Sequence, residues 1–182
     1  HHAGFTNSVA PLGTALTEHQ IRQLWRLAHE PVLCFDGDQA GQRAAQRAAE
    51  RALPQLGAGY SLRFAFLPAG QDPDSLIANG DAKTLTRALE NPVSLIDFLW
   101  SSETGNHRQD TPERRASLRQ KLDQRIAQIA DRTIREGYFV DFKKRFRDLF
   151  TLPQTPVRRP TKAGRKAFHE FQLRSHARGQ DR

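Results

Sequence analysis

Apolar positions along the chain follow two regimes. As far as residue 67, short apolar runs alternate with stretches of helical spacing, and beyond residue 80 only helical spacing is legible. Residues 8–13 (Ser8-Val9-Ala10-Pro11-Leu12-Gly13) read as a short strand ending in a glycine turn. Thr17 opens a helix, because its hydroxyl and the Gln20 amide can satisfy each other's orphan backbone donors in a capping box. Ile21, Leu24, Trp25 and Ala28 follow at i, i+3, i+4 and i+7. Val32-Leu33-Cys34-Phe35 is a continuous apolar run, as in a strand covered on both faces. The spacing then predicts a helix over 40–53, with a stripe of Ala44, Ala45, Ala48, Ala49 and Ala52 that can sit close on a sheet. A third strand is expected over 62–67, closed by Pro68. Strands alternating with helices of this length indicate a parallel α/β sheet of the doubly wound, Rossmann-like kind.

From Asp81 onward no strand is expected. Helices over 82–90 and 93–100 are separated by Asn91-Pro92, and Thr111-Pro112-Glu113 is a strong helix start with cap, proline and first-turn acid. Leu118, Leu122, Ile126 and Ile129 form one stripe, and Tyr138, Phe142, Phe146 and Leu149 another, so these helices are expected to pack on each other as a bundle. Beyond Leu152, prolines at 153, 156 and 160 among clustered Arg and Lys read as a basic, disordered linker. The expected organisation is therefore an α/β domain over 1–91, a helical subdomain over 92–150 and a basic tail over 151–182. No internal repeat is visible.

Composition narrows the class. With 182 residues, 37% hydrophobic and 26% charged, the chain suits one domain with an appendage and not wholesale disorder. No apolar run approaches the roughly 18 residues of a membrane span, and the N-terminus lacks a basic-then-apolar leader pattern. A soluble protein without a membrane partner is expected. Cys34 is the only cysteine, which excludes an internal disulfide and a thiolate zinc cluster and fits a reducing compartment. Methionine is absent, so the chain is expected to be an excerpt from a longer protein. Of the net charge of +8, residues 151–182 carry +6, from eight Arg and Lys against Glu170 and Asp181. Such a tail favours polyanions through counterion release and equally suits a solvated linker.

The sharpest chemical feature is Asp36-Gly37-Asp38, where the second strand ends. Side chains at i and i+2 of a strand point the same way, and ligands of open α/β sheets gather at that strand end. Two hard oxygen donors there suit Mg²⁺, which binds through one or two carboxylates and bridges to phosphates. Gly37 leaves room for close approach, and Gly41 lets the next helix pack tightly. A plain turn fits the tripeptide equally, since Asp and Gly are common turn residues. An EF-hand does not: counting Asp36 as the first loop position puts Arg47 where a bidentate Glu belongs. Gly70-Gln71-Asp72-Pro73-Asp74 follows the third strand, and parallel neighbours would bring it to the same edge. Four carboxylates there repel unless a cation or proton compensates. Asp74 also has an ordinary role open to it, as N-cap of a helix over 75–78.

The combination of Pro11-Leu12-Gly13-Thr14-Ala15-Leu16-Thr17, Phe35-Asp36-Gly37-Asp38-Gln39-Ala40-Gly41 and Phe66-Leu67-Pro68-Ala69-Gly70-Gln71-Asp72-Pro73-Asp74-Ser75-Leu76 resembles the TOPRIM domain of bacterial replicative DNA primases of the DnaG type. The Asp-x-Asp element is shared with topoisomerases, recombination-mediator proteins and nucleases; the Leu-Pro-x-Gly-x-Asp-Pro-Asp element is more particular to primases. The resemblance covers residues 1–150, its helical part with weaker motifs, and leaves out the tail. It implies a truncated TOPRIM fold followed by a helical subdomain. Asp36 and Asp38 would be catalytic metal ligands, with Asp72 and Asp74 as supporting metal-site acids, and the cofactor would be Mg²⁺ or Mn²⁺. The reaction would be synthesis of short RNA primers from nucleoside triphosphates on a single-stranded DNA template, in the cytoplasm at a bacterial replisome.

The pattern is incomplete. The family's glutamate at the end of the first strand would lie upstream of His1, and neither Glu18 nor Glu30 replaces it. The zinc-binding domain, the basic template-binding subdomain and the C-terminal domain that contacts the replicative helicase have no counterpart here, so no zinc is expected in this chain and no primer synthesis by it alone. A TOPRIM nuclease or topoisomerase would need further acids, His or a tyrosine nucleophile, for which Tyr60 and Tyr138 have no supporting context. A non-catalytic nucleic-acid scaffold is the remaining class. Arg43, Arg47 and Arg51 line one helix face, Lys143, Lys144, Arg145 and Arg147 another, and both read as solvated faces that could also meet phosphates. Tyr138, Phe139, Phe142, Phe146 and Phe150 have core or interface spacing, with base stacking as the other reading. His19, His29, His107, His169 and His176 show no ligand spacing.

Overall fold

In the computed structural model, which describes residues 4–11, 15–105 and 109–151, regular structure starts where the capping box places it. Thr17 Oγ1 accepts the Gln20 N–H at 3.3 Å, and the Thr17 N–H donates to Gln20 Oε1 at 2.8 Å. Helix α1 (Glu18–Leu27) follows, burying Ile21 and Trp25. The apolar run becomes β1 (Val32–Phe35), the alanine-striped stretch α2 (Gln39–Ala52), and the next run β2 (Arg63–Phe66). Then come α3 (Pro73–Ala78), α4 (Ala82–Glu90), β3 (Val93–Ser94), α5 (Leu95–Thr104), α6 (Pro112–Ala127) and α7 (Arg132–Phe150).

Strands β1 and β2 pair in parallel, from Val32 opposite Arg63 to Phe35 opposite Phe66. Strand β3 adds antiparallel on the far side of β2, with Phe64 opposite Val93, and gives the sheet order β1-β2-β3. This corrects the expectation of no strand beyond Asp81. Two residues are too few to print a period of two, and Pro92 disguises the approach. The helix expected from Val93 accordingly begins two residues later, with Ser94 as its cap. Residues 8–11 form no strand: Val9 is 70% exposed, so its apolar side chain buries nothing, and Pro11 has no N–H to give a ladder. Leu12 and Gly13 lie outside the described residues.

The sheet has two distinct faces. In-register pairing puts Phe35 and Phe66 on one of them, with Phe64, and Phe98 of α5 stacks there at 4.5 Å from Phe64 and 5.7 Å from Phe66. Helix α2 packs against β1 and α5 through Ala45, Ala48, Ala49 and Ala52, all buried. On the opposite face Cys34 packs against Leu67, Leu76 and Leu85, which come from the end of β2, α3 and α4. Burial there pushes the Cys34 thiol above its ordinary value, and the Asp36 charge adds to the shift.

Helix α5 joins the sheet to the helices that follow. Leu95, Phe98 and Leu99 are buried, while Trp100 meets Phe142 of α7 at 5.8 Å. The stripe Leu118, Leu122, Ile126 and Ile129 is buried as its spacing predicts. The second stripe is only partly so: Phe142 is buried but Leu149 is 47% exposed. Arg125 of α6 donates to Glu103 of α5 at 2.9 Å and to Glu50 of α2 at 2.6 Å, and these three side chains tie the sheet's own helix to the following pair. The described chain clusters as one unit through Phe146. The expected tail over 151–182 lies, from Leu152 onward, outside the described residues. Among the described residues no helix is long and apolar enough to cross a membrane.

Three measurements test this packing. A Cβ on Gly37 would collide with the Leu67 and Pro68 carbonyls, so Gly37→Ala is expected to cost about 1–3 kcal/mol in a urea titration. Arg125→Met leaves the nearly buried Glu103 carboxylate unpaired and should cost about 3 kcal/mol, most of it recovered by adding Glu103→Met. Burial, with the charge of Asp141, pushes the Tyr138 phenol up to about 12. The folded chain therefore holds that proton more tightly than the unfolded chain, whose tyrosine titrates near pH ~10. The contribution is complete below pH ~10 and declines by about 1.4 kcal/mol per pH unit until the folded value is reached. Denaturation of the wild type should steepen with pH across that window, and Tyr138→Phe should flatten it.

Candidate active site

The acidic loops are built by the chain's own turns and caps. Asp36 follows β1 directly, and Asp38 is the N-cap of α2, its Oδ1 accepting the Gly41 N–H at 2.7 Å. The first turn of α2 lies so close to the Asp36 backbone that a Cβ on Gly41 would overlap the Asp36 carbonyl. Gly37 is pressed in the same way against the carbonyls of Leu67 and Pro68. The ladder runs one residue past the strands, since the Leu67 N–H donates to the Phe35 carbonyl at 3.0 Å. The loop after β1 and the loop after β2 are thus in backbone contact at one edge of the sheet.

After Pro68 the chain turns. The Gln71 N–H donates to the Pro68 carbonyl at 3.1 Å, and Gly70 takes φ +74, the left-handed conformation that a type II turn requires at its third position. Asp72 then caps α3, its Oδ1 accepting the Ser75 N–H at 2.8 Å while the Asp72 N–H donates to the Ser75 hydroxyl at 3.1 Å. The cap is therefore Asp72 and not Asp74. Pro73, with fixed φ and no N–H, is preorganised for the first helical position and draws the start two residues upstream. Asp74 sits in the first turn, where a negative charge is favourable to the helix dipole.

Parallel pairing sends both loops out of the same end of the sheet, with Asp36 and Asp38 in the first loop and Asp72 and Asp74 farther along the second, at the start of α3. They do not form a ready-made cage: among the described residues no three His, Cys, Asp or Glu side chains gather into a group that could hold a metal. Asp38 keeps one carboxylate oxygen clear of its capping bond, and Asp36 is not drawn into a cap. A carboxylate pair with hard oxygens fits Mg²⁺, which completes its shell with water and substrate phosphates. Gln71 was not singled out from the sequence. Its Oε1 is buried in this rim loop and finds no hydrogen-bond partner in the protein; a glutamine between Gly and Asp reads as a solvated loop residue, so no sequence signal pointed to it.

Of the other candidates, Arg51 donates to the Leu16 carbonyl and Glu50 pairs with Arg125, while Arg43 and Arg47 are exposed on the outer side of α2. Arg145 bonds Asp97 of α5 at 2.6 Å and Asp141 at 3.1 Å, so that cation holds α7 to α5. Phe142 is core, and Phe139 is exposed beneath the Arg119 guanidinium at 5.5 Å.

Residues 1–63 match the Toprim domain family. The DNA primase of Rickettsia bellii (strain RML369-C) is 32% identical over 183 residues, which covers 97% of this chain and 30% of that protein. A structure described as the DnaG catalytic core superposes with a TM-score of 0.70 at 34% identity, over 80% of this chain and 46% of that one. A DnaG primase catalytic domain bound to single-stranded DNA gives a TM-score of 0.69 at 34% identity, over 78% and 46%. This chain spans less than half of each of these relatives. It belongs to the bacterial DnaG-type DNA primase family, as a segment of the catalytic core that carries its Toprim domain.

Proposed function

We propose that this chain is the metal-bearing part of a template-directed RNA polymerase that starts DNA chains. A 3′-hydroxyl attacks the α-phosphorus of a nucleoside triphosphate, the new phosphodiester forms, and pyrophosphate leaves. Asp36 and Asp38 hold Mg²⁺ or Mn²⁺, and Asp72 and Asp74 support the site from the adjacent loop. The cation, when bound, supplies positive charge against the phosphates and lowers the pKa of a hydroxyl at its surface. The chain's own part is to fix two carboxylates on a rigid strand end, through the Gly37 and Gly41 contacts.

The observation that carries this reading is the backbone contact of Gly37 with Leu67 and Pro68, which sets two acidic loops from distant stretches at one edge. Likeness to a primase domain solved with single-stranded DNA supports a DNA template as partner. Nucleoside triphosphates, an RNA primer and a replicative helicase reached through a further domain complete the proposed set, at the cytoplasmic replisome. A nuclease or topoisomerase reading has less support, because Tyr138 is a partly buried neighbour of Phe142 at 6.1 Å and, among the described residues, no His joins the acids in a metal-holding group.

The test uses the chain joined to its upstream part, with NTPs, Mg²⁺ and a single-stranded template. Asp36→Asn and Asp38→Asn should each reduce primer synthesis by at least about 10³-fold, in the range seen when a charge-stabilising group is removed. Asn caps helices as well as Asp, so Asp38→Asn should leave the melting temperature within the shift expected for about 0.5 kcal/mol. Undiminished synthesis by both variants would sink the assignment.

A further inference from the structure

A cavity of about 300 Å³ opens beside the rim on the phenylalanine face of the sheet. Its lining comes from four elements: Gln42 of α2, Phe66 of β2, Val93 of β3, and Phe98, Ser101 and Ser102 of α5. Phe66 and Phe98 stack on one another at 5.7 Å with an interplanar angle of 26°, and with Val93 they make the apolar part of the lining. Gln42 brings an amide that both donates and accepts. Ser101 and Ser102 donate to the Phe98 and Leu99 carbonyls at 3.0 and 2.9 Å, so their lone pairs remain to accept. Among the described residues no charged side chain lines the cavity. An aromatic, apolar lining with neutral donors and acceptors at its mouth suits a heteroaromatic ring and suits neither a phosphate nor a metal ion. At the lower limit of ligand-pocket volumes, it has room for one ring system and not for a whole nucleotide.

Its position says where the rest of such a ligand would lie. Phe66 pairs with Phe35, the residue before Asp36. The Gln42 N–H donates to the Asp38 carbonyl at 3.0 Å, so Gln42 sits one helical turn, about 6 Å, beyond Asp38. A ring seated on Phe66 therefore leaves its substituents within reach of the carboxylate rim. We infer that this cavity is the seat of the nucleobase of a mononucleotide, with the base against Phe66 and its edge on the Gln42 amide and the α5 hydroxyls. The inference rests on the polymerase reading only for the identity of the nucleotide; the seat itself is a binding property of this chain.

The experiment titrates adenosine into the 182-residue chain without divalent metal, following backbone amide NMR shifts, with ribose 5-phosphate and an oligothymidylate as parallel probes. Adenosine is expected to move the amides of Gln42, Ser101 and Ser102 saturably, and ribose 5-phosphate to leave them in place. Gln42→Leu and Ser102→Val, both at exposed helix positions, should each weaken adenosine binding about tenfold, as for loss of one hydrogen bond with its partner left unpaired. Asp36→Asn should leave it unchanged, so a failure of catalysis and a failure of this seat are read separately. No saturable shift below about 10 mM adenosine, equal shifts with ribose 5-phosphate, or shifts with the oligothymidylate alone would each overturn the inference.

Discussion

The arrangement depends on one steric constraint: nothing larger than hydrogen fits on Cα of residue 37. The loop leaving β1 lies directly on the Leu67 and Pro68 carbonyls, and the first turn of α2 lies on the Asp36 backbone. Parallel pairing sets the direction of both loops, but pairing alone allows them to diverge as they leave the sheet. The glycine contacts remove that freedom. Because they are made by backbone, whose position is held by the ladder and by α2, the carboxylates inherit the rigidity of the sheet.

The acids of the rim are also structural. Asp38 caps α2 and Asp72 caps α3, so each has one oxygen committed to a backbone N–H. A cap is worth about 1 kcal/mol, enough to orient a carboxylate without excluding its second oxygen from other chemistry. Helix N-termini also carry partial positive charge, which offsets part of the repulsion among the negative groups nearby. A site of this kind can be assembled before any cation arrives, and its acids need not form a closed cage. That agrees with the preference of Mg²⁺ for a few protein oxygens shared with water and phosphate.

Most of this was legible in the residues because the signals are local. The Thr17 capping box, the alanine stripe of α2, the apolar runs of β1 and β2 and the Thr111-Pro112 start all depend on neighbours within a few positions, and all appear where their spacing puts them. Gly37 and Gly41 were readable as points of close approach, although the atoms they approach were not. What the sequence concealed was set by distant partners. Strand β3 exists because the backbone at Val93 and Ser94 meets the far edge of β2, and two residues carry no periodicity of their own. Residues 8–11 have a strand-like composition but pair with no strand, and Val9 stays exposed. The shift of the cap from Asp74 to Asp72 followed from Pro73, whose preference for the first helical position outweighed a nearby alternative. Gln71 and the cavity at Phe66 are products of tertiary packing alone.

Helix α5 shows which forces join the helices to the sheet. Leu95, Phe98 and Leu99 are buried on or beside the phenylalanine face, and each such side chain contributes roughly 1.5–3 kcal/mol. The Arg125 network crosses the same junction, yet a largely buried ion pair gains little net stability, because desolvating its charges cancels much of their attraction. For Arg125 the two hydrogen-bonded carboxylates more than offset that desolvation and hold the guanidinium charged. Apolar burial therefore supplies the adhesion. The directional bonds of Arg125 to Glu50 and Glu103 select the angle at which it is made, since a slip of one helical turn would keep most of the apolar contact but leave a buried carboxylate unpaired. The cavity between α2, β2 and α5 owes its shape to that angle, so the same three charges that add little to stability fix the geometry beside the acidic rim.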